Sequence, residues 1–258
     1  MAPDDPTSSS LRLASDAREL PNPGLASGRR GLVVAVYGAR RQVGVSTVAS
    51  SLALAFVGVR AGEVALAELD PRVVRARARA DQRAAASTSA RANGRQGGGS
   101  GPGRVALPGL EAWMARRADA VWTLERPARA RTATSVDAKS VEATLDALRA
   151  TFPVIVIELE HQVNERTLAA LDAANRILIV TAGSVPSLRA TQRVLRLCKR
   201  LNYPDEKLCV VVNRFDAPGA LPTTDVSAVL KRELCWRIPE GLPMDLTGLA
   251  EKLDAKRG

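Results

Sequence analysis

Residues 32–56 read LVVAVYGARRQVGVSTVASSLALAF and decide the fold of this chain. The first five residues form an uninterrupted apolar run, which is typical of a strand buried on both faces of a parallel sheet. A loop containing Gly38 and Gly44 follows, then the hydroxyl pair Ser46 and Thr47, and then Ala and Leu alternate with Ser at helical density. A strand, a glycine-containing loop and a helix in this order present backbone N–H groups and a helix N-terminus to a phosphate. The stretch therefore predicts a nucleotide-binding βα unit.

The loop departs from the standard phosphate-binding pattern of a glycine, four residues, a glycine, a lysine and a serine or threonine. The first glycine position is occupied by Ala39, the second by Gly44 and the hydroxyl position by Ser46. The lysine position is occupied by Val45, which cannot reach a phosphate. The pattern therefore predicts a phosphate-binding loop that has lost one of its contacts.

The loop resembles the deviant P-loop of the MinD/ParA family, which reads Lys-Gly-Gly-x-Gly-Lys-Ser/Thr-Thr. The positions of that motif fall, in order, on Arg40, Arg41, Gln42, Val43, Gly44, Val45, Ser46 and Thr47. The third glycine and both hydroxyls are kept, whereas both lysines and the first two glycines are changed. Because the family binds ATP with this loop, the resemblance implies that these eight residues contact the nucleotide, with Arg40 reaching across a dimer interface.

Two carboxylates extend the resemblance. The apolar run at residues 63–69 ends at Asp70, where the family has an aspartate that positions magnesium and water, so the resemblance implies a catalytic role for Asp70. The run at residues 154–157 ends at Glu158, which matches the Walker B aspartate of the family. We therefore expect Ser46, Asp70 and Glu158 to hold magnesium.

Two short segments near the C-terminus complete the resemblance. Asn213 and Arg214 match a strand end at which the family's asparagine contacts adenine, and Pro239 and Glu240 match a turn beside the base. The resemblance therefore implies nucleotide contacts for all four residues. The altered loop is most similar to the atypical TadZ/CpaE pilus-assembly or septum-site branch of the family.

Strand and helix patterns alternate along the rest of the chain, which predicts a doubly wound, mostly parallel α/β sheet with helices on both faces. Strands are predicted at residues 32–36, 63–69, 121–124, 154–157, 177–181, 208–212 and 235–238. Helices are predicted at residues 46–60, 110–117, 140–150, 164–174, 184–201 and 226–234. Leu246, Leu249 and Leu253 favour a terminal helix docked on the domain over an amphipathic membrane anchor.

The charge is concentrated in one segment. The chain has a net charge of +10, and residues 72–104 contain eight arginines and one aspartate, a net charge of +7. We expect a disordered tail at residues 1–28 and one P-loop domain at residues 29–258, interrupted by a disordered Arg/Gly-rich insertion at about residues 73–104. Residues 72–104 are either a low-complexity insertion or a surface for DNA, an acidic membrane or a partner.

The composition excludes several classes of protein. Apolar residues make up 46% of the chain, but no apolar run approaches the roughly 18 residues needed to span a bilayer. The first residues lack the features of a signal peptide, so we expect a cytoplasmic protein, free or held peripherally at the inner membrane or a cell pole. The cysteines Cys198, Cys209 and Cys235 are odd in number and far apart, which predicts buried free thiols.

The sequence is compatible with three functions. The first is a scaffold that binds ATP weakly or not at all, dimerises on the face carrying Arg40 and Asp70, and serves protein machinery at a pole or the envelope. The second is a slow ATPase with an arginine in place of the lysine. The third is a partition-type protein that binds DNA through residues 72–104. Loss of the lysine should weaken ATP binding by about one to two decades and hydrolysis by roughly a hundred- to thousandfold.

Overall fold

The computed structural model describes residues 31–60, 63–69, 114–116, 120–124, 138–241 and 244–255. The predicted tail at residues 1–28, the predicted insertion at about residues 73–104 and the predicted catalytic residue Asp70 all lie outside these ranges. In chain order the described elements are β1 (Leu32–Gly38), α1 (Val45–Arg60), β2 (Val64–Glu68), β3 (Met114–Arg116), β4 (Val121–Leu124), α2 (Ala138–Thr151), β5 (Val154–Glu158), α3 (Glu165–Ala173), β6 (Arg176–Ala182), α4 (Val185–Arg200), a 3-10 turn (Asp205–Lys207), β7 (Leu208–Asn213), α5 (Thr223–Leu230), β8 (Trp236–Ile238) and α6 (Thr247–Ala255).

The described strands form one eight-stranded sheet in the order β3-β4-β2-β5-β1-β6-β7-β8. All neighbouring strands are parallel except the edge pair of β3 and β4. The predicted doubly wound, mostly parallel α/β fold is therefore confirmed. Because β1 lies between β5 and β6, the loop after β1 opens at the carboxyl edge in the middle of the sheet, where such folds bind ligands.

Two hydrophobic clusters cover the two faces of the sheet. Side chains of α2, α3, α4 and α5 pack on one face, and those of α1 and α6 pack on the other. Leu246, Leu249 and Leu253 are buried in the second cluster, which confirms the prediction of a docked terminal helix. Arg60 at the end of α1 donates a hydrogen bond of 2.8 Å from Nε to Asp254 of α6, so the two helices are also joined by an ion pair.

One predicted helix is wrong. Within residues 110–117, the structure places Met114–Arg116 in the edge strand β3, which pairs antiparallel with β4. Met114 is buried and Arg116 is exposed. The pairing with β4 is a tertiary contact, and such contacts override weak local preferences in short segments.

The prediction that all three cysteines are free thiols is also wrong. Cys209 in β7 and Cys235, next to the start of β8, form a disulfide with a Cα–Cα distance of 5.3 Å. Because β7 and β8 are parallel neighbours, residues that are 26 positions apart in the sequence meet side by side. Cys198 is buried and free, as predicted.

The described helices were also searched for a membrane span. None of those in the described ranges has both the length and the apolar character needed to cross a bilayer.

Candidate nucleotide-binding site

The loop after β1 ends in the N-terminus of α1. Gln42 and Gly44 both have left-handed backbone conformations, with φ of 63° and 93°. Gln42 holds this conformation despite its Cβ, at a cost of roughly 1–2 kcal/mol. The first N–H groups of a helix have no intrahelical partner, and the first turn of α1 contains no acidic residue. The loop therefore presents a helix N-terminus that favours an anion.

Asn213 and Arg214 hold the loop from the end of β7. Nδ2 of Asn213 donates a 2.9 Å hydrogen bond to the carbonyl oxygen of Val43, and Nη2 of Arg214 donates a 2.7 Å bond to that of Gln42. A Cβ on Gly44 would lie 2.2 Å from Nδ2 of Asn213, so Gly44 allows this close approach. Asn213 is buried, and its Oδ1 has no hydrogen-bond partner among the described residues. The structure thus brings Asn213 to the loop backbone, and its contact with a base stays a prediction.

Val45 occupies the lysine position of the loop pattern and packs against apolar neighbours. Its side chain is half-buried and packs against the core on the α1 face of the sheet. A Cβ built on Gly38 would lie 2.5 Å from Cγ2 of Val45 and 2.7 Å from Cγ2 of Val43, so the two valines cover the end of β1. The position of the P-loop lysine is therefore occupied by a half-buried apolar side chain at the core margin.

Ser46 contacts the acidic edge of the sheet. Its hydroxyl donates a hydrogen bond to Oε1 of Glu158, the last residue of β5. Glu68, the last residue of β2, is the register partner of Glu158, so the two carboxylates end neighbouring parallel strands. Adjacent strands lie about 4.8 Å apart, which places both acids at the carboxyl edge beside the loop. Asp70 lies two residues beyond Glu68 and outside the described residues.

These oxygen atoms fit a magnesium ion only together with a phosphate. Hydroxyl and carboxylate oxygens are the hard ligands that magnesium prefers, and protein sites commonly supply one or two carboxylates while substrate phosphates complete the shell. Within the described ranges, no group of three or more His, Cys, Asp or Glu residues could hold a metal ion. The site therefore fits magnesium bound with a nucleotide.

Two arginines supply positive charge at the mouth of the loop. The side chains of Arg40 and Arg41 are exposed. Nε of Arg41 donates to Nε2 of His161 over 3.4 Å, and the hydroxyl of Tyr37 donates a 3.0 Å bond to the carbonyl oxygen of His161. Burial raises the pKa of Tyr37, so this hydroxyl stays protonated. The two exposed guanidinium groups thus add positive charge beside the loop.

Sequence reasoning did not assign Tyr37 or His161 to the site. His161 is the single histidine of the chain and follows Glu158 by three residues, which is the signal that could have found it. Tyr37 carries no such signal, because a tyrosine in a buried strand is ordinarily a core residue.

The two segments predicted to contact the base follow the neighbouring strands β7 and β8. Asn213 is the register partner of Ile238, and the N–H of Glu240 donates a 2.6 Å hydrogen bond to Oδ1 of Asp216. Pro239 and Glu240 are exposed at the same carboxyl edge. The structure thus places the loop, Glu158, the Asn213 segment and this turn along one edge, as the sequence predicts for a nucleotide site.

Comparisons with known proteins agree with this architecture. No protein-family model matches the chain. A septum site-determining protein MinD from Thermotoga maritima is 29% identical over 112 residues, which cover 38% of this chain and 41% of that protein. The match thus spans about two fifths of the length of the curated relative.

Solved structures share the fold over most of the chain. A ParA family ATPase from Chlorobium tepidum TLS is similar with a TM-score of 0.63 and 16% identity, covering 88% of this chain and 90% of that one. MinD from Pyrococcus horikoshii OT3, solved with Mg-ADP, gives a TM-score of 0.56 and 15% identity, with 82% of each chain covered. The MinC:MinD complex of Aquifex aeolicus gives 0.58 and 17%, with 86% of each chain covered. The chain therefore has the fold of MinD/ParA-type P-loop ATPases.

Proposed function

We propose that this protein is a MinD/ParA-type nucleotide-binding scaffold. It binds ATP with magnesium weakly at the loop of residues 39–47, dimerises on that face, and serves assembly machinery for a pole, pilus, secretion system or division site. Hydrolysis is too slow to be its function. The observation that carries the proposal is the packing of Val45, a half-buried apolar side chain at the position where the P-loop pattern has its phosphate-binding lysine.

The missing lysine contact sets the expected affinity. A hydrogen bond to a charged group contributes roughly 1.5–3 kcal/mol, and about 1.4 kcal/mol corresponds to one decade in affinity. ATP binding is therefore about one to two decades weaker than it would be with a lysine at this position.

The remaining groups support binding. The N-terminus of α1 favours an anion, and the forked guanidinium of Arg40 or Arg41 matches phosphate geometry. Ser46 and Glu158 already form a hydrogen bond at the position expected for magnesium, so the ion would replace that bond. Magnesium, when bound, neutralises charge on the β- and γ-phosphates.

Catalysis loses more than binding does. Removal of one preorganised donor to developing charge lowers rates by roughly a hundred- to thousandfold in other enzymes. Glu158 offers a carboxylate one methylene longer than aspartate, so it positions a metal-bound water less rigidly. The role of Asp70 in positioning water stays a prediction, since this residue lies outside the described part of the chain.

The scaffold role draws on the exposed loop and on the relatives. Arg40 is exposed at the mouth of the site, where a second copy of the chain could present a nucleotide to it. The MinD of Aquifex aeolicus, which shares the fold, was solved in complex with MinC. Both observations support a protein that dimerises when it binds nucleotide and whose dimer is bound by partner proteins.

Calorimetry and phosphate release test this proposal together. ATP and ADP are titrated with and without magnesium, and sedimentation follows the oligomeric state. We expect magnesium-dependent binding, a nucleotide-dependent dimer that Arg40→Ala weakens, and equal phosphate release from the wild type and Asp70→Ala. Release well above that of Asp70→Ala would establish the slow ATPase instead. Absence of binding heat with both nucleotides would reject the nucleotide site.

A further inference from the structure

A groove between the C-terminal halves of α4 and α5 lies away from the nucleotide edge. Leu208, the first residue of β7, lies in its lining, so the groove opens at the amino edge of the sheet. The loop after β1 opens at the carboxyl edge. We call this surface the α4–α5 groove. It is lined by Gln192, Leu195, Arg196, Lys199, Asn202, Tyr203, Asp205, Leu208, Val229, Leu230, Lys231 and Arg232.

The floor of the α4–α5 groove is apolar. Leu195 and Tyr203 are half-buried and pack against the core, and Leu208 and Leu230 are buried. Val229 remains 40% exposed, so the groove also presents an apolar side chain to solvent. A partner that lies in the groove would therefore cover apolar surface, which is the main source of binding free energy in such grooves.

The rim of the groove is basic. Four cationic residues and one carboxylate, Asp205, give the lining a net charge of +3. Nη1 of Arg232 lies 2.7 Å from Oδ1 of Asp205, so the single carboxylate of the lining is paired with Arg232. Among the described residues, Arg196, Lys199 and Lys231 form no ion pair. Three cations are therefore available to a ligand.

Both walls of the groove are fixed. Nε2 of Gln192 donates a 2.7 Å hydrogen bond to the carbonyl oxygen of Val229, which joins α4 to α5. Nη2 of Arg232 donates to the carbonyl oxygens of Asp205 and Leu208 at 2.6 Å and 3.2 Å, which joins the end of α5 to the start of β7. A groove that is already formed loses little entropy when a ligand binds.

Lys231 occupies a backbone position that favours glycine. It ends α5 with φ of 51° and ψ of 41°. A lysine in this conformation is less stable than a glycine, by roughly five- to thirtyfold in the folding equilibrium. The chain thus keeps a cation at the rim despite a local preference for another residue.

We propose that the α4–α5 groove binds an acidic, amphipathic peptide segment of a partner protein. Carboxylates of the peptide pair with Arg196, Lys199 and Lys231, and its apolar residues cover Leu195 and Val229. Recognition of an amphipathic helix by an apolar groove is a recurrent mode, and the rim charges select acidic sequences. The eight residues of α5 span about 12 Å, which accommodates two turns of helix.

A nucleic acid or a membrane fits this surface less well. A phosphate backbone gains nothing from the exposed Val229 or from the apolar floor. A bilayer needs protruding apolar side chains, whereas the apolar residues here lie inside a concave surface between two helices. Charge and shape together therefore favour a peptide.

The experiment selects ligands without assuming a partner. A phage library of random peptides of about twelve residues, long enough to cover α5 as a helix, is selected on the full chain. Enriched peptides are synthesised and titrated by fluorescence anisotropy. We expect acidic sequences with apolar residues three or four positions apart. Their affinity should fall at least about tenfold in Arg196→Glu/Lys199→Glu, because two attractive charges become repulsive.

The control variant is Lys139→Glu/Arg237→Glu, which makes the same charge change at exposed residues of α2 and β8 outside the groove lining. Its affinity for the peptides should stay within about threefold of the wild type, as expected for screened distant charges. An equal loss in both variants, or enrichment of peptides without acidic residues, would overturn the proposal.

Binding of short duplex DNA or of phosphatidylserine vesicles that only the groove variant loses would assign the groove to that ligand instead. ATP calorimetry on the same variants keeps this test separate from the nucleotide site.

Discussion

The side-chain amide of Asn213 donates a 2.9 Å hydrogen bond to the carbonyl oxygen of Val43, which joins the end of β7 to the loop after β1. β6 lies between β1 and β7 in the sheet, so this contact spans the end of the intervening strand. The contact is close because Gly44 lacks a Cβ, which would lie 2.2 Å from Nδ2 of Asn213. The shape of the loop therefore depends on Asn213 and Gly44 together.

Replacing Gly44 by alanine should lower the free energy of unfolding by about 2–5 kcal/mol. The left-handed backbone costs roughly 1–2 kcal/mol with a side chain, and the overlap with Asn213 adds about 1–3 kcal/mol. Urea denaturation measures the change. Gly219→Ala is the matched control, because Gly219 has φ of 79° and open space around its Cβ position. The control should lose only about 1–2 kcal/mol.

The double variant Gly44→Ala/Asn213→Ala isolates the contact. Truncation of Asn213 removes the atom that overlaps the new Cβ, so the two changes should be less than additive by about 1–3 kcal/mol. Additive losses, or equal losses in Gly44→Ala and Gly219→Ala, would show that the contact with Asn213 does not shape the loop.

Removal of magnesium tests whether Glu158, which accepts a hydrogen bond from Ser46, belongs to the metal site. In the wild type, chelation with EDTA should weaken ATP binding in calorimetry. In Glu158→Gln the affinity for magnesium should fall by about 10–100-fold, the usual effect of losing a group that positions a metal or its water. Glu165→Gln makes the same change at an exposed residue in the first turn of α3 and should behave as the wild type. Undiminished magnesium dependence in Glu158→Gln would remove this residue from the metal site.

Reduction should destabilise the sheet edge formed by β7 and β8. The disulfide joins residues 26 positions apart, and closing a loop of that length lowers the entropy of the unfolded chain by an amount equivalent to about 3–4 kcal/mol. Urea denaturation with and without dithiothreitol measures the difference. The double variant Cys209→Ser/Cys235→Ser should be insensitive to dithiothreitol. An unchanged wild-type stability after reduction would mean that the bridge does not form in solution.

The central strands of the fold are predictable from local sequence. Residues 32–36 and 154–157 are continuous apolar runs because both faces of a parallel sheet are covered by helices. The edge strand Met114–Arg116 is not predictable in this way, since it is defined by pairing with β4. The disulfide was missed for the same reason, because only the sheet order brings Cys209 beside Cys235.

In the candidate site, too, some features are predictable from local sequence and others are not. The alignment of the loop predicts that Gly44 and Ser46 lie at a helix N-terminus beside Glu158, and they lie there in the structure. Neither the inward packing of Val45 nor the bond from Asn213 to Val43 could be predicted. Both depend on side-chain directions at element ends, Val45 at the start of α1 and Asn213 at the end of β7, which periodicity does not determine.

Restoring the lysine should strengthen nucleotide binding. In Val45→Lys the longer side chain can leave the core and reach the phosphates, so ATP affinity in calorimetry should rise by about one to two decades. Loss of the packed valine should cost about 1–3 kcal/mol of stability, measured by urea denaturation. Val57→Lys, on the same helix and also packed at the core margin, is the control and should lose stability without gaining affinity. Equal ATP affinity in Val45→Lys and the wild type would mean that the loop, rather than the missing lysine, limits binding.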